Sequence, residues 1–179
     1  MSHIPRGPTN FGWTYHVTSE VNRRAFELAP DEDKELFLAV IAEAKEKYTF
    51  ELWNFCIMAN HFHFLITPHE GQSLSDIMKW IKFVFAIRWN KAHNKTGHFW
   101  GDRFYSRVIS SKRDFRNVYN YIDRNPVAEG LVETPEEWKY GGAYHLAHGI
   151  TGIITPVNEQ ILEVVERGGG YRTVLPSRF

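Results

Sequence analysis

IMANHFHFLITP, residues 57–68, sets two histidines one residue apart among apolar neighbours, and its reading decides the fold. Strand side chains alternate between the two faces of a sheet. Phe62, Phe64 and Ile66 therefore point one way, and His61, His63, Leu65 and Thr67 the other. Upstream, FELWNFCIM (residues 50–58) is a second apolar run, separated from the first by Ala59-Asn60. Two strands this close form an antiparallel hairpin.

Working outward, the same alternation gives a first strand at YHVTSEV, residues 15–21. Between it and the hairpin, Asp31, Glu32 and Asp33 open a helix that Lys45 and Lys47 close, matching the helix dipole. Leu36, Phe37, Val40, Ile41 and Ala44 form its apolar stripe. Beyond the hairpin, Ser73 and Asp76 form a capping pair for a helix to about His93, ended by Asn94 and Gly97. Its stripe is Leu74, Ile77, Met78, Ile81, Val84 and Phe85. Residues 99–109 read as a fourth strand, or a strand pair broken near Gly101-Asp102. Ser111 and Asp114 cap another helix that Pro126 should stop at Asn125.

The order β-α-β-β-α-β followed by a further helix predicts an α+β fold with a ferredoxin-like sheet. Both crossover helices of such a sheet cover one face. The phenylalanines suit that face, which leaves His61 and His63 projecting from the open one. The segment Trp138–His148 reads as an aromatic loop or short strand. Thr155-Pro156 reads as the start of a last helix to about Arg167. We divide the chain into a single catalytic-type domain over residues 1–149 and a C-terminal helix and tail over residues 150–179, appended to it.

Composition narrows the function classes. The 179 residues carry zero formal net charge, but residues 76–124 hold eleven Lys or Arg against four Asp, a local net charge of +7. Such asymmetry is the electrostatic footprint of a phosphate backbone, although a solvated helix face looks the same. The single cysteine, Cys56, excludes an internal disulfide and fits a reducing cytoplasm. No run approaches the roughly 20 apolar residues of a membrane span, and MSHIPRGPTNFGW lacks the apolar core of a signal peptide. The expectation is a cytoplasmic protein with no membrane partner.

Two imidazoles at i and i+2 on one strand face can share a metal ion. A bare His-x-His is nonetheless more often a packed pair. Of the other seven histidines, His16 is the one to watch, because the first strand should neighbour the third. On the helix after the fourth strand, Tyr121 and Asn125 are four residues apart and share a face. Tyr121 is a candidate nucleophile and Asn125 a candidate oxygen ligand; two histidines with an amide oxygen suit Mg²⁺ or Mn²⁺. Tyr119 and Tyr105 are rival nucleophiles by residue type. Tyr119 lies about 160° around the helix from Tyr121, so both cannot serve one site.

MANHFHFLITP followed by YIDRNPVAEGLV resembles the REP-associated tyrosine transposases, members of the His-hydrophobic-His single-strand DNA endonucleases. GHFWGDRFYSRVIS and YHVTSEVNRRAFEL are similar to that family's aromatic-basic strand and first strand, so the likeness spans residues 13–145. The resemblance implies that His61 and His63 are the metal-binding histidines, Asn125 the third ligand and Tyr121 the catalytic tyrosine. It implies Mg²⁺ or Mn²⁺ as cofactor, and nicking and joining of single-stranded DNA through a 5′-phosphotyrosine intermediate. The substrate it implies is a hairpin formed by a palindromic repeat, met by a monomer or homodimer. Ala59 stands where the family commonly has proline.

Arg103, Arg107, Lys112, Arg113, Arg116 and Arg124 are candidate DNA contacts, with Trp100, Phe104 and Tyr105 as stacking aromatics of which about half should be core. Two other function classes remain open from the residues. One is a non-catalytic module binding single-stranded nucleic acid, indifferent to chelator. The other is a metal hydrolase of small phosphate esters, which needs a water-activating base that the sequence does not supply.

Overall fold

The computed structural model describes residues 13–157. Four strands form one antiparallel sheet in the order β2-β3-β1-β4: β1 (Tyr15–Glu20), β2 (Phe50–Ile57), β3 (His61–Pro68) and β4 (Tyr105–Val108). Helices α1 (Asp31–Lys47) and α2 (Leu74–Ala92) are the two crossovers; α3 (Lys112–Ala128) follows β4, and the short α4 (Gly142–Ala147) comes last. This is the split β-α-β-β-α-β arrangement with added helices.

The crossover helices bury their predicted stripes against one face. Phe37, Val40, Ile41 and Ala44 of α1 and Ile77, Met78, Ile81 and Phe85 of α2 are fully excluded from water. They meet Phe62, Phe64 and Ile66 of β3 in a single core, with Phe37 in edge contact with Phe62, ring centroids 5.1 Å apart. The capping residues act as the sequence indicates: Asp76 N–H donates to Ser73 Oγ, and Asp114 N–H to Ser111 Oγ.

The opposite face is not open, as predicted, but covered by α3. Leu65, Trp53, Cys56 and Met58 from that side form a second apolar cluster with Ile109 and with Phe115, Val118 and Ile122 of α3. The physical reason is in the sheet itself. A face carrying this much apolar surface must be covered, and the α3 stripe is the only unclaimed one among the described helices of more than two turns. A bulge at Trp53 in β2 adds to the cover. It turns both Trp53 and Asn54 towards α3, where the indole meets Phe115 with centroids 6.2 Å apart. The Asn54 amide donates to Tyr119 O at 3.1 Å and to Asp123 Oδ1 at 2.8 Å.

Three further boundaries differ from prediction. The fourth strand is only Tyr105–Val108, because Phe99 and Trp100 leave the ladder to fill the α1/α2 core. Trp100 keeps a single bridge to Val21, and its indole N–H donates to Lys82 O at 2.9 Å. Helix α3 runs through Pro126 to Ala128 rather than stopping at Asn125. Proline lacks one amide proton, but Pro126 continues the buried stripe of Phe115, Val118 and Ile122. The chain then leaves through Gly130 at φ +71°, where glycine is unstrained. Finally, Trp138–His148 is neither loop nor strand throughout. It makes one bridge from Gly141 to Cys56 and then forms α4.

Ile153 and Ile154 are buried in the α1/α2 core, and Thr155 N–H donates to Leu52 O at 2.8 Å. The rest of the predicted C-terminal helix, beyond residue 157, lies outside the described residues. Among the described residues no helix is long and apolar enough to cross a membrane.

Candidate active site

The register of the sheet builds the site. Strand β1 runs antiparallel to β3 with Thr18 opposite His63 and His16 opposite Leu65. His16 and His63 are therefore diagonal neighbours on the α3 side. Their rings stack with centroids 5.2 Å apart, and His16 Nε2 lies 3.0 Å from His63 Nδ1. His61, two residues along β3, meets His63 edge-on at 5.0 Å. Its Nδ1–H donates to Asn60 Oδ1 at 2.7 Å, which leaves Nε2 as the nitrogen with a lone pair to offer.

Helix α3 supplies the other half. Where Ile122 ends the apolar contact with the sheet, Tyr121 and Asn125 turn towards the histidines. The Tyr121 ring stands 5.4 Å from that of His63 and 6.0 Å from that of His16 by centroid, edge-on to both. Tyr121 is 53% exposed, whereas His63 is 6% exposed, so the phenol stands at the surface beside a buried imidazole. Asn125 Nδ2 is 3.4 Å from His63 Nε2, and Asn125 Oδ1 is buried with no hydrogen-bond partner. Of the rival tyrosines, Tyr119 stacks on Phe115 inside the second cluster, and its burial pushes the phenol pKa up. Tyr105 is exposed on β4 opposite Thr18.

The electrostatics keep the buried imidazoles neutral. Burial, reinforced by His61 and His16, lowers the His63 pKa to about 3. Burial and the Arg107 guanidinium lower that of His16 to about 4, against a smaller opposing pull from Asp114. Both rings are thus neutral at about pH 7, the form in which imidazole binds metals. Among the described residues no three His, Cys, Asp or Glu side chains gather in metal-binding geometry. A metal here would rest on His61 and His63 plus neutral oxygen donors, and the orphaned Asn125 Oδ1 is the one that the protein holds ready. The residues present fit a hard divalent cation with open positions.

The basic candidates fare differently from one another. Arg107 is committed to Asp114 by two bonds of 2.7 and 3.0 Å. Arg103, Arg113 and Arg116 are exposed, and Lys112 is half-buried. Arg124 borders a shallow hollow with Glu133 and Glu136, acidic neighbours unsuited to phosphate. Trp100 belongs to the core, Phe104 packs beside it, and Tyr105 stays exposed. Sequence reading did not find Asn60 as the partner of His61, nor Asn54 as a tether of α3. Asn54 is a polar residue inside an apolar run and Asn60 lies in the break between two such runs, and those are the only signals they give.

The family model described as "Transposase IS200 like" matches residues 9–125. A REP-associated tyrosine transposase of Escherichia coli is 25% identical over 135 residues, spanning 72% of this chain and 75% of that protein. A Haemophilus influenzae protein, provisionally named a REP-associated tyrosine transposase, is 27% identical over 150 residues, spanning 78% and 84%. The solved structure of a REP-associated tyrosine transposase bound to a REP hairpin superposes with a TM-score of 0.67 at 24% identity, covering 98% of this chain and 100% of that one. With its matching region extending over more than half of the sequence, the chain belongs to the IS200-like transposase family, whose members cut DNA and transfer its strands.

Proposed function

We propose that this transposase nicks and rejoins single-stranded DNA through Tyr121, with a hairpin formed by a palindromic repeat as its substrate and Mg²⁺ or Mn²⁺ as cofactor. The observation that carries the reading is the placement of one phenol, and among the described residues of no other tyrosine, against His63, whose ring meets that of His61. The hairpin is supported by the solved relative of the same fold, which is bound to a REP hairpin. His16, His61, His63, Tyr121 and Asn125 all come from one chain, so a monomer can assemble the set.

When bound, a divalent cation supplies electrostatic stabilisation of charge on the non-bridging phosphate oxygens. His61 and His63 would hold it through Nε2, and Asn125 through Oδ1. The remaining work belongs to the chain. Helix α3 presents Tyr121 Oη to the phosphorus and restrains it there, converting an encounter into an oriented attack. The phenol loses its proton as the new oxygen–phosphorus bond forms, and the bond from phosphorus to the deoxyribose 3′-oxygen breaks. That oxygen takes up a proton, leaving a free 3′-OH and a 5′-phosphotyrosine. A 3′-OH attacking the same phosphorus reverses the step and rejoins a strand without ATP.

A labelled single-stranded hairpin incubated with the protein and Mn²⁺ should give a covalent adduct on a denaturing gel. An adduct of equal yield with Tyr121→Phe would overturn the assignment.

A further inference from the structure

Two imidazole nitrogens 3.0 Å apart share one proton, and which ring owns it matters. If His16 Nε2–H donates to His63 Nδ1, a neutral His63 carries its proton on Nε2 and has no lone pair there. If His63 Nδ1–H donates to His16 Nε2, His63 Nε2 is free. The surroundings favour the second arrangement. Asn125 Nδ2 faces His63 Nε2 at 3.4 Å, and this contact is a hydrogen bond only when Nε2 carries the lone pair. His61 follows the same pattern with a different partner: Nδ1 is held by Asn60 Oδ1 at 2.7 Å, while Asn60 Nδ2 is turned to Arg24 O at 3.4 Å. Both histidines then present Nε2 on the α3 side.

We propose that His16 is a positioning residue that accepts the Nδ1 proton of His63 and so fixes the tautomer and ring orientation in which His63 Nε2 binds the metal. The inference rests on the metal reading above. Its physics is that of the outer shell of metal sites, where the second ring nitrogen of a ligating histidine donates to a fixed acceptor. The acceptor here is an imidazole, placed by strand register. His16 lies opposite Leu65 on β1, so its ring reaches diagonally across to His63 while Arg107 on β4 occupies the other side. A residue that merely packed would need only a flat ring at this position. A positioning residue needs an acceptor where Nε2 now stands.

Two variants separate these roles in the full chain. His16→Phe keeps a ring and removes the acceptor; His16→Gln removes the ring and returns an amide oxygen close to the Nε2 position. Mn²⁺ affinity, measured by calorimetry without DNA, should fall roughly 10–100-fold in His16→Phe and stay within a few-fold of wild type in His16→Gln. Nitrogen-15 NMR of the metal-free protein should place the lone pair of His63 on Nε2 in wild type and in His16→Gln, and show a mixture of the two neutral tautomers in His16→Phe. Wild-type Mn²⁺ affinity in a folded His16→Phe overturns the proposal. So does a wild-type spectrum with the proton on His63 Nε2, a reading that needs no variant to fold. Failure of the wild-type protein to bind Mn²⁺ would instead remove the metal reading, and the spectrum would still decide whether His16 sets the His63 proton.

Discussion

Arg107 and Asp114 lock β4 to the first turn of α3 through two parallel bonds of 2.7 and 3.0 Å. The same carboxylate accepts the Ser110 N–H at 2.9 Å, so one side chain closes the turn and clamps the helix that carries Tyr121. The Arg107 hydrogen bond holds the Asp114 pKa below its ordinary value of 3.8, with burial opposing and the Ser110 amide assisting. A folded-state pKa below the unfolded one means stability that is present above the ordinary value and lost as pH falls through the folded one. Asp114→Ala should therefore destabilise the protein at pH 7 by about 1–2 kcal/mol. The gap from wild type should close in acid, below the titration of Asp114. Urea melts at pH 7 and at successive pH values below 3.8 check both the size and the sign.

Tyr121→Phe should abolish the covalent adduct while leaving stability within about 0.5 kcal/mol, because the side chain is largely at the surface. Tyr119→Phe and Tyr105→Phe should both form adduct, since one hydroxyl is packed in the second cluster and the other stands apart on β4. Running the three proteins side by side on a denaturing gel, with thermal melts as the control, separates chemistry from folding. An adduct lost in Tyr119→Phe but kept in Tyr121→Phe would reverse the assignment.

The parts of this site that were legible in advance are those governed by periodicity. Alternation in HFHFLIT separates the core phenylalanines from the histidines, and the four-residue spacing of Tyr121 and Asn125 puts them on one helix face. What periodicity could not give was the burial of His63. Its cover depends on α3 crossing the sheet, and that follows from the summed apolar surface of Trp53, Cys56, Met58 and Leu65 rather than from any local pattern. The continuation of α3 through Pro126 was hidden for the same reason. A local stop signal lost to a tertiary contact, because Pro126 completes a buried stripe. Phe99 and Trp100 misled in the opposite direction: their strand-forming character is spent in the core, not in the ladder.

Metal binding should register as stabilisation of the folded state, since the two imidazoles converge only there. At a Mn²⁺ concentration about 100 times Kd the gain is about 2.7 kcal/mol. For a chain of this size that raises Tm by roughly 5–10 °C. His63→Ala and His61→Ala should show no such rise, and excess chelator should return the wild-type protein to its metal-free Tm. Tyr121→Phe should retain the full shift. A shift that survives in both histidine variants would place the cation elsewhere on the molecule.

Gly142 tests whether α3 is held in place from the far side of the sheet edge. A Cβ at this position would lie 2.0 Å from Asn54 Oδ1 and 2.8 Å from Ile154 Cδ1. Asn54 has no freedom to retreat. Its Oδ1 accepts the Phe55 N–H at 2.8 Å, and its amide is bound to Tyr119 O and Asp123 on α3. Gly142→Ala must therefore displace either α4 or the Asn54 tether, at an expected loss of about 1–3 kcal/mol. If the tether gives way, the α3 turn bearing Tyr121 loosens over the histidines, and adduct formation should slow in a protein that is still folded. Asn54→Ala should slow it likewise, because it frees the Tyr119 carbonyl and leaves Asp123 without its amide partner. Combining the two substitutions should then add little further loss of rate, since they act on one contact. Fully additive effects in the double variant would show that Gly142 acts on the site by a route other than Asn54.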